Sequence, residues 1–284
     1  MKAMMQVGNV EWDIASLAMG ELTADNQSYF RDLGESCEQL PNVTKAGVNE
    51  ACQQYGVIFD LGTQPLAYDR SAFPGATRLP SSWADFWDVG NFPGPRSLPN
   101  IGQPEHPLIA ALLADGVPGD KLFPLDLDRA FRKLDEIRPH VTVWWGSGDQ
   151  SVQMFRTKEV VMALMYSNRA RSLQAEGLPI EISWEGAILD AYIWTILARA
   201  PRPLAALALL NFIYTRPEAH AAYSSELRSA ATGMKDAAKY MKPADAAKLP
   251  TNEKIWPHII KMDLEWLGKN KATMNQRWTE WIAQ

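Results

Sequence analysis

Two tryptophans followed by a small-residue turn are the residues of this chain best placed to bind a ligand. Trp144 and Trp145 end a short β-branched run, and Gly146, Ser147 and Gly148 follow directly. In open α/β sheets ligands bind beyond strand ends. Because side chains alternate along a strand, one ring should belong to the core. We expect Trp145, the nearer to the turn, to face the ligand, with Trp144 and Ser147 beside it.

The chain contains no set of residues typical of catalysis or metal binding. None of its histidines stands in a spacing that zinc enzymes use: His106, His140, His220 and His258. Ser147 and Ser151 lie in GSGDQS, which is not a G-x-S-x-G nucleophile elbow and fits an ordinary turn. Asp13 follows a strand, and Asp126 with Asp128 begins a helix, so structural roles are favoured. We expect no enzyme, no metal and no cofactor.

Length and charge limit the classes of function. With 284 residues, 46% of them hydrophobic, the chain exceeds what one core usually needs, so two lobes are expected. The 33 acidic and 28 basic residues give a net charge of −5. Nucleic acid requires a basic surface, and the sequence has no Lys/Arg cluster to supply one. Nucleic acid is therefore not an expected partner.

The two cysteines leave two interpretations open. Cys37 and Cys52 cannot form a zinc site by themselves and do not form a CxxC redox motif. A disulfide across this spacing would stabilise the fold by roughly 3 kcal/mol. Two buried thiols are the alternative.

The sequence shows neither a secretory signal nor a membrane span. The first twenty residues lack a basic region followed by an uninterrupted apolar run. The apolar run 204–214 is about half the length needed to cross a bilayer and contains Asn211. We expect this run to form a buried helix.

The first part of the chain is predicted to form strands, followed by a segment that connects the two lobes. VEWDIASL, residues 10–17, predicts a buried parallel strand before a turn at 18–21. Residues 53–69, QQYGVIFDLGTQPLAYD, predict one or two strands broken at Gly62. Residues 70–80 are rich in proline and glycine, which favours an irregular crossing between lobes and a hinge.

The second part alternates helices and strands. Ser81 or Ser82 should cap a helix with Trp83, Phe86 and Trp87 on one face. A second helix is predicted from Asp126, with an inward stripe, and Pro139 should end it; the stripe is Leu127, Ala130, Phe131, Leu134 and Ile137. A strand then ends at Trp145, and residues 152–177 predict a helix, a strand and a helix. PIEISW and residues 192–197 predict two further strands, and helices follow.

Taken in order, seven segments of the chain resemble the polyamine-type (spermidine/putrescine) extracellular solute-binding proteins of ABC transporters. The match spans nearly the whole chain, and its strength lies in the ordered set. The segments are LAYD, SWADFWDVGNFPG, ALLADGV, KLFPLDLDRAFRKLDEIRPHV, WWGSG, AEGLPIEISW and LNFIYTRPEAHAAY.

This resemblance implies the fold, the partners and the location. The expected fold is α/β of the type II periplasmic-binding-protein kind, with two α/β lobes, a hinge and an interlobe ligand cleft. The first lobe would comprise residues 1–70 and 190–245, the second 71–189, with C-terminal helices at 246–284 packing on the lobes. A periplasmic monomer would deliver a small-molecule solute to an inner-membrane ABC permease and its ATPase. Typical members begin earlier, so we expect an N-terminally truncated first lobe.

The resemblance also implies ligand-binding residues. Tyr166 stands where the family has a cleft tryptophan. Of the family's LDFDYW this chain keeps Asp190 and Trp194, and Tyr192 replaces the second carboxylate. Met19 and Glu21 would contribute from the first-lobe loop. Each position also fits a structural role, namely packing, a local turn bond or a solvated loop.

Two departures from the family pattern bear on the ligand. A polyamine needs aromatic rings along its chain and carboxylates at its ends. The second carboxylate is absent, and the expected Tyr-Gly-Pro turn reads Ser229, Ala230, Ala231. Arg169 or Arg171, if either faces the cleft, would favour an anionic solute.

The alternatives to an importer subunit are a sensor or interaction subunit built on the same fold, or a hydrolytic enzyme.

Overall fold

The computed structural model, which describes residues 1–48, 51–226 and 231–284, is a mixed α/β chain. Its strands are β1 Ile14–Ala18, β2 Cys52–Gln53, β3 Gly56–Asp69, β4 Arg96–Pro99, β5 Val141–Trp145, β6 Met162–Leu164, β7 Ile180–Ile196, β8 Ala231–Thr232 and β9 Ile259–Ile260. Its helices are α1 Lys2–Val7, α2 Pro41–Ala46, α3 Trp83–Trp87, α4 Glu105–Ala114, α5 Leu127–Ile137, α6 Gly148–Arg156, α7 Ser167–Ala175, α8 Pro203–Ile213, α9 Pro217–Glu226, α10 Pro243–Ala246 and α11 Leu264–Ile282.

The chain divides into two compact units. Unit 1 comprises Met1–Gly62 and Asp190–Asn252, and unit 2 comprises Thr63–Leu189 and Glu253–Gln284. The first passage from unit 1 to unit 2 lies inside β3, not in the proline- and glycine-rich residues 70–80, which belong wholly to unit 2. The C-terminal residues 253–284 also belong to unit 2.

The sheet of unit 1 is antiparallel. β1 runs against the end of β7, from Ile14 opposite Ile196 to Ala18 opposite Tyr192. The prediction of a parallel first strand is therefore wrong, because its partner runs in the opposite direction. β2 pairs with the start of β3, and β8 pairs with β3 at Asp60 and Leu61. β3 continues without a break through Gly62, in contrast to the predicted interruption.

The core of unit 1 lies between this sheet and the helices α2 and α8. Leu40, Val43, Leu210 and Tyr214 are among its fully enclosed side chains. A disulfide joins Cys37 to Cys52, which confirms the first of the two predicted alternatives. The disulfide thereby ties the segment that contains Cys37 to β2, which pairs with β3.

Helix α8 departs from the prediction of a buried helix. Its residues Leu204, Leu209 and Phe212 are 76%, 45% and 53% exposed, whereas Leu207 and Leu210 are buried. The helix is apolar on most sides, but among the described residues only one side of it is buried against unit 1, so the composition misled the prediction.

Unit 2 contains a parallel set of strands in the order β6–β4–β5. β4 pairs in parallel with β5 and with β6, and β6 runs antiparallel to the end of β3. The chain leaves β4 through α4 and α5 to reach β5, then returns through α6 to β6 on the opposite side of β4. Such a reversal of strand order marks the carboxyl ends of these strands as the ligand-binding edge of an open α/β sheet.

The predicted helices of unit 2 are confirmed where local signals set them. Ser82 caps α3 in a capping box with Asp85, and Asp126 caps α5. The predicted inward stripe of α5 is buried at Ala130, Phe131, Leu134 and Ile137. Trp278 and Trp281 of α11 anchor that helix through indole N–H donors to Asn100 and Asp135 at 2.9 and 2.7 Å.

Candidate ligand-binding site

The two tryptophans at the end of β5 are packing residues of unit 2. Trp145 is fully enclosed, and its indole N–H donates to the Leu164 carbonyl at 2.9 Å. Trp144 lies edge-on to Trp278 and Trp281, with ring centroids 5.8 and 5.5 Å away. The structure thus places Trp145 in the core rather than on a surface, because its polar atom finds a buried acceptor. Its ring supports Tyr166, 5.5 Å away.

Beyond β5 the chain forms a helix start. The Ser147 hydroxyl caps α6 by accepting from the Gln150 N–H at 3.2 Å, and the Gln150 side chain accepts from the Gly146 N–H at 2.7 Å. Ser151 donates to the Gly148 carbonyl and is buried. Both serines therefore have structural partners. The N-terminus of α6 carries a partial positive charge at the ligand-binding edge of the sheet.

A guanidinium lies at the same helix start. Arg169 of α7 packs so closely on Gly148 that a Cβ there would come within 2.9 Å of its Nε. Its Nη1 is 3.0 Å from Asp149 Oδ1, an ion pair whose carboxylate is 85% exposed. Exposed pairs of this kind contribute little, so Asp149 is a weak competitor for the guanidinium. Arg171 is buried, so Arg169 is the accessible arginine of the two.

Tyr166 precedes α7 at the carboxyl end of β6. It is the N-cap residue of α7, makes no side-chain cap and is half-buried. The amide donors of the first turn of α7 thus point to the edge of the sheet where α6 begins. Unit 2 therefore gathers two helix starts, one guanidinium and one aromatic ring beyond parallel strands.

In unit 1, β7 presents a carboxylate and two rings on one face. Asp190, Tyr192 and Trp194 alternate along the strand, so their side chains share a side of the sheet. Asp190 is 2% exposed, and the two rings are half-buried. Ala18 lies opposite Tyr192, so the turn Met19–Glu21 continues past that same stretch of β7. Four predicted site residues, Met19, Glu21, Asp190 and Tyr192, thus lie on β7 or directly after its partner β1 in unit 1.

A second carboxylate lies in an aromatic setting in unit 1. The Phe59 ring stacks on Trp194 with centroids 4.1 Å apart, and Tyr223 meets Phe59 edge-on at 5.0 Å. The Tyr223 hydroxyl donates to Asp60 Oδ2 at 3.1 Å. Asp60 Oδ1 is buried and has no hydrogen-bond partner within the described ranges. We call Phe59, Asp60, Trp194 and Tyr223 the Asp60 cluster.

Burial governs the titration of this cluster. It raises the pKa of Asp60 to about 6, against a smaller lowering by the Tyr223 hydrogen bond. Burial, with the nearby Asp60 charge, also raises the pKa of Tyr223. His220, whose ring is 5.7 Å from Phe59, has its pKa lowered by burial and is neutral at pH 7. No basic side chain of the described chain forms an ion pair with Asp60.

Sequence reasoning missed the Asp60 cluster. Asp60 stands in an apolar strand sequence, VIFDLG, and its hydrogen-bond donor is 163 residues away along the chain. A lone aspartate within a buried strand was the available signal. Of the expected turn at 229–231, Ser229 and Ala230 lie outside the described residues, and Ala231 opens β8.

The remaining acidic candidates have structural partners. Asp13 binds Arg202 at 2.9 Å, and Asp128 binds Arg277 at 2.8 Å. Asp126 accepts from the Arg129 N–H as a helix cap. Across residues 1–48, 51–226 and 231–284, His, Cys, Asp and Glu form no group able to hold a metal ion. In those same ranges no helix has the length and apolar character of a membrane span.

Comparison with known proteins identifies relatives along the whole chain. The family model for bacterial extracellular solute-binding proteins matches residues 1–253. A gamma-aminobutyric acid-binding protein of Pseudomonas aeruginosa is 30% identical over 289 aligned residues, covering 100% of this chain and 79% of that protein.

Two solved structures share both sequence and fold with it. The periplasmic binding protein AttC of Agrobacterium tumefaciens C58, in an open unliganded conformation, is 39% identical with a TM-score of 0.80; 99% of this chain and 85% of AttC are covered. An ABC transporter substrate-binding protein of Bradyrhizobium japonicum is 33% identical with a TM-score of 0.88, covering 99% and 85% of the two chains.

Proposed function

The chain belongs to the bacterial extracellular solute-binding proteins, and on that premise we propose that it binds an amino-acid-like solute carrying one ammonium and one carboxylate group. Its relatives are binding proteins of ABC transporters, so it is a small-ligand-binding protein and not an enzyme. The proposal names the class of solute. It also assigns delivery of that solute to an ABC permease.

The position of Arg169 is the observation that carries this proposal. Its guanidinium lies at the start of α6, beside the start of α7, where backbone amides and the helix dipoles favour an anion. A guanidinium binds a carboxylate through two parallel hydrogen bonds. We therefore assign the carboxylate of the solute to this edge of unit 2, with Ser147 and Tyr166 as its neighbours. The Trp145 ring packs against Tyr166, and Trp144 packs against Trp278 and Trp281.

The ammonium end is assigned to unit 1. Asp190 adds negative charge at this edge, and Tyr192 and Trp194 on the same face of β7 add the ring faces that an alkylammonium favours. Met19 and Glu21 follow β1 at the same sheet edge. Glu21 is exposed, so its effect would be a long-range attraction that salt screens.

The proposed arrangement favours an amino acid over a polyamine. A polyamine has a cation at both ends and would place one of them beside Arg169. Like charges in contact are destabilising, so the spermidine/putrescine reading of the sequence is not retained. The relative named for gamma-aminobutyric acid (GABA) supports the same choice, because GABA carries one charge of each sign.

Calorimetric titration tests the proposal. We expect GABA to bind and putrescine to bind at least about 100-fold more weakly, because the second ammonium would displace a charge-assisted hydrogen bond. Arg169→Met should weaken GABA binding by about 30-fold, which corresponds to roughly 2 kcal/mol for one lost charged hydrogen bond.

Arg156→Gln is the matched control for Arg169→Met. Arg156 forms an ion pair with Glu176 at the far end of α6, and its removal should leave GABA affinity unchanged. Equal affinity of Arg169→Met and the unmodified protein for GABA would remove the basis for the carboxylate assignment. Tight binding of putrescine with no binding of GABA would overturn the solute class.

A further inference from the structure

We infer that Asp60 receives the ammonium group of the solute directly, with the rings of Phe59, Trp194 and Tyr223 enclosing the adjoining carbon chain. This assignment rests on the proposed function and adds a specificity-determining residue to it. Asp60 was no part of the sequence-derived site.

The first argument is an acceptor without a donor. A carboxylate accepts several hydrogen bonds, and Asp60 accepts one, from Tyr223 at 3.1 Å to Oδ2. Oδ1 is buried and has no donor among the described residues. A buried polar atom left in this state costs free energy, which a donor on a ligand would recover.

The second argument is the kind of donor that fits. The Phe59, Trp194 and Tyr223 rings are half-buried, so the Asp60 cluster has an apolar wall that is partly exposed to solvent. Ring faces and a carboxylate together select an alkylammonium over water or a neutral amide. Three hydrogens on such a group require three acceptors.

Two further acceptors lie beside residues of the Asp60 cluster, Thr232 opposite Asp60 and His220 next to Phe59. Thr232 is the register partner of Asp60 on β8, so the two side chains share a face of the sheet, and the Thr232 hydroxyl is buried without a partner in the described chain. His220 has its Nε2 3.1 Å from the Ile213 carbonyl, which makes Nε2 the donor and leaves Nδ1 as an acceptor. That Nδ1 is likewise buried and without a described partner.

The third argument is charge. The pKa of Asp60, raised by burial to about 6, leaves the carboxylate ionised at pH 7. Of the titratable groups on α9, Tyr223 donates to Asp60 and His220 lies with its ring 5.7 Å from Phe59, and both are neutral at that pH. The negative charge in the Asp60 cluster is thus uncompensated by the described chain, and a bound ammonium would neutralise it.

The test compares Asp60→Asn with Asp13→Asn, using GABA and butyrate, which lacks the ammonium, as probes at about pH 7.5. Asp13 is a carboxylate of the same unit, and Arg202 already neutralises it. We expect Asp60→Asn to weaken GABA binding about 100-fold and to leave butyrate binding unchanged, since only GABA uses the charged hydrogen bond. Asp13→Asn should change neither affinity.

The outcomes separate this inference from the proposed function. If the unmodified protein binds GABA and Asp60→Asn binds it equally well, the Asp60 assignment is wrong and the solute class stands. If the unmodified protein binds no amino acid, the proposed function itself fails. A melting temperature of Asp60→Asn at or above that of the unmodified protein shows that the lost affinity does not arise from unfolding.

Lowering the pH from about 7 to 5 should weaken GABA binding to the unmodified protein and leave GABA binding to Asp60→Asn unchanged.

Discussion

Asp85 in unit 2 and Asp60 in unit 1 are both aspartates withdrawn from solvent, and their surroundings differ. Asp85 Oδ2 accepts from the Ser81 N–H, the Ser81 hydroxyl and the Ser82 N–H, and Arg78 donates to Oδ1 at 2.6 Å. Burial would raise the pKa of Asp85, but these hydrogen bonds together hold it below its ordinary value. Asp60 has one hydrogen bond and a pKa raised to about 6.

The difference distinguishes a carboxylate that stabilises the fold from one that is available to bind a ligand. Asp85 closes the capping box of α3, and both of its oxygens accept hydrogen bonds from the protein. The charge of Asp60 forms no ion pair in the described chain, and its one hydrogen bond does not offset the cost of burial. Sites that bind ligands often keep such unfavourable groups, because the bound state recovers the free energy.

The largest expected effect is on Asp85. Replacing it with alanine removes the side-chain half of the α3 capping box and the partner of Arg78, and we expect the free energy of unfolding to fall by about 3 kcal/mol. Denaturant unfolding measures this, and GABA affinity of the folded protein should stay the same. A change below about 0.5 kcal/mol would show that the cap network contributes no stability.

Asp60→Asn should raise the free energy of unfolding, in contrast to Asp85→Ala. The folded-state pKa of about 6 lies above the unfolded value of 3.8, so the contribution of Asp60 to stability is greatest below the unfolded value and is lost as the pH rises through about 6. We expect the variant without ligand to be more stable by about 2 kcal/mol at about pH 7.5, with no gain near pH 4. A loss of stability at the higher pH would contradict the uncompensated charge.

His106 of α4 is a third buried titratable group. Its contribution to stability falls as the pH is lowered, whereas that of Asp60 falls as the pH rises. Burial lowers its pKa to about 4, so protonation on acidification favours the unfolded chain. Relative to His106→Leu, the native protein should lose roughly 1–2 kcal/mol between about pH 7 and 5. Unfolding curves at several pH values measure the difference, and parallel curves for the two proteins would refute it.

Tyr223→Phe should have the smallest effect. It removes the one hydrogen bond to Asp60, so the pKa of Asp60 should rise further and stability should change by at most about 1 kcal/mol. Carboxyl NMR titration follows the midpoint directly, with Asp60→Asn identifying the signal. An unchanged midpoint would mean that the hydroxyl does not stabilise the charged form.

Elements set by local signals were predictable. The caps at Ser82 and Asp126 and the stripe of α5 depend on residues a few positions apart, which the sequence displays. The direction of β1 and the exposure of α8 depend on partners far away in the chain, so composition alone led to a parallel strand and a buried helix. The point at Gly62 where the chain passes from unit 1 to unit 2 is likewise not marked by the local amino-acid composition.

The candidate site shows the same limit. The resemblance to solute-binding proteins indicated Asp190, Tyr192 and Tyr166, whose ligand roles stay predictions. The prediction that Trp145 faces the ligand was wrong, because its ring is enclosed and its N–H donates to a carbonyl of β6 that the sequence does not reveal. Asp60 becomes visible only when β3, β8 and α9 bring an aspartate, a threonine and a tyrosine together.

A crystal structure of the chain with GABA tests the central claim most directly. We expect the ammonium nitrogen at about 2.7–3.2 Å from Asp60 Oδ1 and the carboxylate at the same distance from the Arg169 guanidinium. A solute in the reversed orientation, or one that contacts neither Asp60 nor Arg169, would contradict the account.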